Sequence, residues 1–148
     1  MNFFTINPAT EEPIKQYNYE SISSAVAKAE KCAKAQKDWA RVPFGARAKL
    51  LSRTAELLSS RKDELARLMA LEMGKPLAQG AACADKCATV CRYYSENAEA
   101  ILRDEQIATE LKKSYIVHQP IGSIFGIMPW NFPYWQVFRF AAPALMAG

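Results

Sequence analysis

The sequence predicts an α/β fold in which a helical part comes first and strands enter late. Three observations carry that prediction. Apolar residues recur at three-to-four spacing between Ile22 and Leu102, composition then turns β-branched and aromatic in "SYIVHQPIGSIFGIMPW", and this run hands over through a short loop to a helix at Pro133. Strand, loop and helix in that order is how open α/β sheets place their ligands, at the carboxyl end of a strand.

Residues 1–20 open the chain as a hairpin: "INPATEEPIKQY" sets Asn-Pro and Pro-Ala-Thr turn chemistry between two short extended pieces. Residues 21–104 are helical. Ser21 is an N-cap for a first helix whose Ile22, Val26, Ala29 and Ala33 begin a mostly apolar stripe reaching Gln36 to Ala40, and Pro43 closes the segment. Leu50, Thr54, Leu57 and Leu58 mark a second helix, and Leu65, Leu68 and Met69 a third. In "LEMGKP" the third helix stops, because Gly74 offers the left-handed cap and Pro76 cannot continue the helix. A fourth runs from about Leu77 to Leu102 and buries its cysteine side.

Residues 105–148 hold the strands and the start of a cleft. Pro120 and Gly122 punctuate two strand-like runs, Lys113 to His118 and Ser123 to Met128. The second is apolar almost throughout, as expected of a strand covered on both faces in a parallel sheet. Pro133 fits the first turn of the helix that follows, and Pro143 in its interior removes a backbone bond, predicting a kink that frees the carbonyl of Arg139.

With 148 residues, half of them hydrophobic and 23% charged, the chain has the profile of one soluble globular domain. At that length a fold buries roughly 68–70% of its unfolded surface. The net charge of +4 does not mark a nucleic-acid partner: the lysines between Lys28 and Lys37 alternate with Glu30 and alanines, as on a solvated helix face. Cys83, Cys87 and Cys91 recur every fourth residue and so share one helix face, drifting by about 40° per step. They have no histidine nearby and no CxxC spacing, so small buried thiols in a reducing compartment are expected, and no metal. His118, the only histidine, stands at a strand end and receives no role. "MNFFTINPATEE" lacks the pattern of a secretory signal. The uncharged stretch between Lys113 and Arg139 is long enough for a bilayer, but Pro120, Pro129, Pro133, Asn131 and Gln136 break it, leaving a cytoplasmic protein with no membrane partner.

Asn131 stands out in "IMPWNFPYWQVFR", an amide among aromatic and apolar side chains. A buried amide persists only when its donors and acceptor are satisfied, so Asn131 is either a loop cap or a donor facing a ligand, and spacing alone favours the cap. No glycine-rich dinucleotide fingerprint precedes the helix.

"PWNFP" at Pro129 to Pro133, with a "GxIxPW"-like strand end before it and "PALMAG" after it, resembles the NAD(P)-dependent aldehyde dehydrogenase family. "INPATEEPI" resembles that family's opening hairpin and "LEMGKPL" its helix stop, so the similarity covers nearly the whole chain in order. The resemblance implies an aldehyde-dehydrogenase-like α/β fold: an N-terminal helical part, residues 21–104, and the first strands of an incomplete Rossmann-like cofactor domain, with no catalytic domain. In the family a cysteine thiolate attacks the aldehyde, hydride passes to NAD or NADP, and a glutamate activates water. Carried over, Asn131 is the oxyanion donor, and Ile127, Met128, Pro129 and Trp130 line the nicotinamide side of the cofactor cleft. Phe132, Trp135, Gln136 and Arg139 share a helix face that continues from Asn131. An arginine there resembles the succinate-semialdehyde dehydrogenase branch, where it would clamp a substrate carboxylate; pairing with an acid from another segment is the alternative.

The resemblance also implies what this stretch lacks: the nucleophilic cysteine, the glutamate base, the lysine after the "PALMAG" helix and the cofactor turn all lie downstream in the family pattern. Cys32, Cys83, Cys87 and Cys91 sit in predicted helices without an activating histidine and are expected to be inert. The chain closes inside an apolar helix, and two strands alone make no covered parallel sheet. An N-terminal fragment, inactive alone and part of a homo-oligomer when complete, is therefore expected. A truncated paralogue docking on full-length subunits is one alternative. The other is an unrelated helical binding module, which the lack of a strand before Trp130 would favour.

Overall fold

The structure, a computed structural model, describes residues 2–148. The hairpin forms as expected: β1 (Asn2–Ile6) pairs antiparallel with β2 (Pro13–Asn18), Phe3 opposite Tyr17 and Thr5 opposite Lys15. The Asn7 side chain makes the turn local, accepting from Ala9 N at 3.0 Å.

Ser21 caps α1 (Ile22–Trp39), its Oγ accepting from Ser24 N at 3.1 Å. The apolar stripe of α1 is left largely uncovered among the described residues: none of its side chains is buried, Ile22 remains 85% exposed, and only its end, at Gln36, Trp39 and Ala40, is half-buried. What ties α1 to the rest is polar. Trp39 Nε1 donates to Leu145 O (2.9 Å) and Gln36 Nε2 to Gly148 O (2.7 Å), satisfying carbonyls at the end of the last helix.

The core lies among α2 (Phe44–Ser60), α3 (Lys62–Met73), α4 (Leu77–Ile101) and α5 (Pro133–Ala147). Cys83, Cys87, Cys91 and the alanines between them bury one face of α4 against Leu51, Ala55 and Leu58 of α2, Met69 of α3, and Ala142 and Met146 of α5. Small side chains let the helices approach closely. At Gly80, a Cβ would stand 2.9 Å from the Ala66 Cα, a separation no side chain tolerates. Gly74 ends α3 in the left-handed conformation (φ 70°), with Gly74 N bonded to Ala70 O and Lys75 N to Met69 O, the expected glycine stop. Arg47 is buried in α2 with its guanidinium 4.4 Å from the Phe44 ring centre, and that burial pushes its pKa down.

The strand expectations need correction. The run Lys113 to His118 shortens to β4 (Tyr115–Ile116), paired antiparallel with β3 (Glu105–Gln106). Ser123 to Met128 forms no strand at all, and Phe125 is 87% exposed. An apolar strand meant for both faces of a parallel sheet needs neighbours on each side, and among the described residues none is present. After it, Pro133 occupies the first turn of α5, and the helix continues through Pro143 to Ala147. No helix among the described residues is long and apolar enough to cross a membrane.

Candidate active-site cleft

A cleft of about 460 Å³ opens between α5, the α3–α4 corner and α4. Phe132, Trp135, Gln136 and Arg139 line it from the α5 side, so the helix face assigned to substrate comes together as one wall. Lys75, Gln79, Cys83 and Lys86 form the opposite wall. That second wall is not among the site residues expected from the sequence, although Gln79, Cys83 and Lys86 fall four and three residues apart on one helix face, a usable signal. Lys75 belongs to "LEMGKP", where the glycine and proline drew attention as a helix stop.

The electrostatics of the cleft are one-sided. Lys75, Lys86 and Arg139 line it, and no carboxylate is among the residues that do. Two of the cations are set against aromatic faces: Lys75 Nζ lies 4.1 Å from the Phe132 ring centre and Lys86 Nζ 4.0 Å from that of Trp135. Lys75 is buried, whereas Lys86 and Arg139 are exposed. Low-dielectric walls behind three positive charges concentrate an attractive field for an anionic ligand.

Asn131 does not line the cleft; it is exposed in the turn just before α5, next in sequence to Phe132, which does. The segment assigned to the cofactor divides. Ile127 and Pro129 are exposed, and Met128 is half-buried. Trp130, still 76% exposed, lines a second cleft on the other side of α5 with Met69, Glu72, Tyr134 and Phe138. There burial, followed by Glu72, raises the Tyr134 pKa.

Two thiols packed behind the cleft, Cys87 and Cys91, are not poised for attack. Burial, reinforced by Cys83, pushes the Cys87 thiol up to about 12, and burial pushes Cys91 up to about 11. Cys32 is exposed.

The sequence pattern of the aldehyde dehydrogenase family matches residues 2–148. A protein of Synechocystis sp. named as a probable NADP(+) succinate-semialdehyde dehydrogenase is 46% identical over 148 residues, covering all of this chain and 33% of its own length. Mycobacterium tuberculosis has an NADP(+) succinate-semialdehyde dehydrogenase that is 46% identical over 154 residues, again covering all of this chain and 33% of the relative. Among solved structures, succinic semialdehyde dehydrogenase from Streptococcus pyogenes with NADP+ superposes with a TM-score of 0.93 at 28% identity, over 99% of this chain and 32% of that one. Betaine aldehyde dehydrogenase from Staphylococcus aureus with NAD+ gives 0.93 at 28% identity, over 100% of this chain and 30% of that one. The chain thus spans about a third of the length of the curated relatives it matches. An unrelated helical module, which the missing strand before Trp130 would have favoured, does not survive a match of this extent. Residue by residue and element by element, the chain belongs to the aldehyde dehydrogenase family.

Proposed function

We propose that this chain is the N-terminal portion of an NAD- or NADP-dependent dehydrogenase that oxidises a small aldehyde bearing a carboxylate, succinate semialdehyde, to the dicarboxylic acid. The observation that carries the proposal is the cleft itself, in which Arg139 on one wall faces Lys75 and Lys86 on the other with no acid among the lining residues. Residues 1–20 serve as the hairpin, 21–104 as the helical scaffold and 105–148 as the cleft-bearing part of one dehydrogenase domain. Relatives named for succinate semialdehyde and NADP(+) support the assignment.

In this mechanism Arg139 receives the far carboxylate through two parallel hydrogen bonds and fixes which end of the substrate enters first. The aromatic rings of Phe132 and Trp135 hold the short methylene chain and exclude water from it. Asn131 donates its side-chain amide to the oxygen that becomes an oxyanion when the carbonyl is attacked. The nicotinamide cofactor, when bound, supplies the hydride acceptor. The uncharged, exposed surface of Ile127, Pro129 and Trp130 suits the flat nicotinamide end, and none of these side chains carries a cation to pair with a phosphate. The nucleophilic cysteine and the glutamate base come from the family's downstream portion, and the high pKa values of Cys87 and Cys91 leave them unfit to substitute. By itself the chain is inactive; complete, it works as a cytoplasmic homo-oligomer with neither nucleic acid nor membrane as partner.

The second proposal, a truncated paralogue that docks on full-length subunits, draws on the largely uncovered apolar stripe of α1. Intact mass of the native gene product separates the two. A mass far above 16.5 kDa favours the dehydrogenase, and a mass of 16.5 kDa favours the paralogue. For a longer product, kcat/KM for succinate semialdehyde should exceed that for butanal by about 100-fold with either cofactor. Equal values for the two aldehydes would overturn the substrate assignment.

A further inference from the structure

Lys75 is 8% exposed, and its ammonium lies 4.1 Å from the centre of the Phe132 ring. The aliphatic stem of Lys75 is packed away while its ammonium faces the cleft, and there the negative face of the Phe132 ring attracts it. The two ends of this contact differ in how firmly they are rooted. Lys75 sits in a stiff corner: Gly74 is locked in the left-handed conformation, two backbone bonds close the end of α3, and Pro76 starts α4. The hairpin backs that corner, with Pro8 Cγ 3.2 Å from where a Gly74 Cβ would stand. Phe132, by contrast, is the N-cap of α5 with no side-chain cap bond, and its backbone (φ −136°, ψ 70°) lies in neither the helical nor the extended region. Asn131 is joined to it directly and is exposed.

We propose that Lys75 is the positioning residue for Asn131: its ammonium holds the Phe132 ring, and the ring fixes the turn that aims the Asn131 amide at the reacting carbonyl oxygen. This rests on the assignment of Asn131 as oxyanion donor under the proposed function. Lys75 itself touches neither substrate nor cofactor in this role. It spares Asn131 the reorganisation that a free turn would undergo when charge develops on the oxygen, so its loss lowers kcat, over and above the rise in KM that follows from removing one of the cleft's three positive charges.

The test uses the full-length dehydrogenase with succinate semialdehyde. Replacing Phe132 by mono-, di- and trifluorophenylalanine drains the ring face of negative charge while nearly preserving its shape. kcat should fall stepwise, by about tenfold across the series, with KM within about twofold. Lys75→Met should lower kcat by a similar factor and make the fluorination series flat, whereas Lys75→Arg, which keeps a cation over the ring, should stay within about threefold of the unsubstituted enzyme. A flat series in the unsubstituted enzyme, an equal slope in Lys75→Met, or a loss confined to KM overturns the role of Lys75. Should Lys75→Met fail to fold, the series in the unsubstituted enzyme and in Lys75→Arg decides alone. An unsubstituted enzyme that oxidises no aldehyde overturns the proposed function as well, which separates the two failures.

Discussion

Lys86 Nζ stands 4.0 Å from the centre of the Trp135 indole, linking a cation on α4 to an aromatic ring on α5 across the cleft. The contact serves two ends. It holds the indole as a fixed wall, and it keeps a second exposed positive charge beside Arg139 without pairing it to an acid. A cleft built this way favours an anionic ligand before any specific bond forms.

Arg139→Met in the full-length enzyme should therefore cut kcat/KM for succinate semialdehyde by about 30-fold or more, since a charge pair with the substrate is lost. Butanal, which has no carboxylate, should be oxidised within about threefold of the original rate. Steady-state kinetics on both aldehydes checks this, and parallel losses would point to a structural role for Arg139.

Asn131→Ala should lower kcat by about 10²–10³ with little change in KM, because the oxyanion exists only beyond the ground state. A loss seen only in KM would instead mark Asn131 as a loop cap or a ground-state contact.

The buried thiols predict a base-sensitive fold. With folded-state values of about 12 for Cys87 and about 11 for Cys91 against an ordinary 9.0, the native state keeps protons that the unfolded chain releases. The stability these thiols contribute is fully present below pH 9 and is lost as pH rises toward 11 and 12, by roughly 1.4 kcal/mol per pH unit for each thiol. Urea midpoints between pH 7 and 10.5 should fall only in the upper half of that range, and Cys87→Ala should flatten the fall. In the native protein, iodoacetamide at pH 8 should label exposed Cys32 and spare Cys87 and Cys91.

Gly80→Ala should destabilise the protein by about 1–3 kcal/mol, since the added methyl meets the Ala66 backbone and α3 must move away from α4. Chemical denaturation reads this directly. At Gly45, where a Cβ meets nothing within 4 Å, the same exchange should be neutral or mildly stabilising.

Much of the helical part was legible because its signals are local. Ser21, Gly74, Pro76 and Pro133 act on the backbone within a turn of themselves, and each does in the structure what its chemistry dictates. The Cys83, Cys87, Cys91 face was legible for the same reason, through periodicity. Ser123 to Met128 failed because a strand is completed by its neighbours, and its apolar composition encodes only a demand for them. The α5 wall of the cleft followed from spacing along one helix, whereas Lys75 reaches Phe132 across 57 positions of sequence, a proximity that only the packing of α3, α4 and α5 creates.

Cys83 belongs to two environments at once, packed in the core and lining the cleft. A change there alters helix spacing and ligand space together, so neither trait can drift without the other. Variants selected for tolerance of heat at this position should emerge with altered tastes in aldehyde, and breeding for a new aldehyde should leave its trace in melting behaviour.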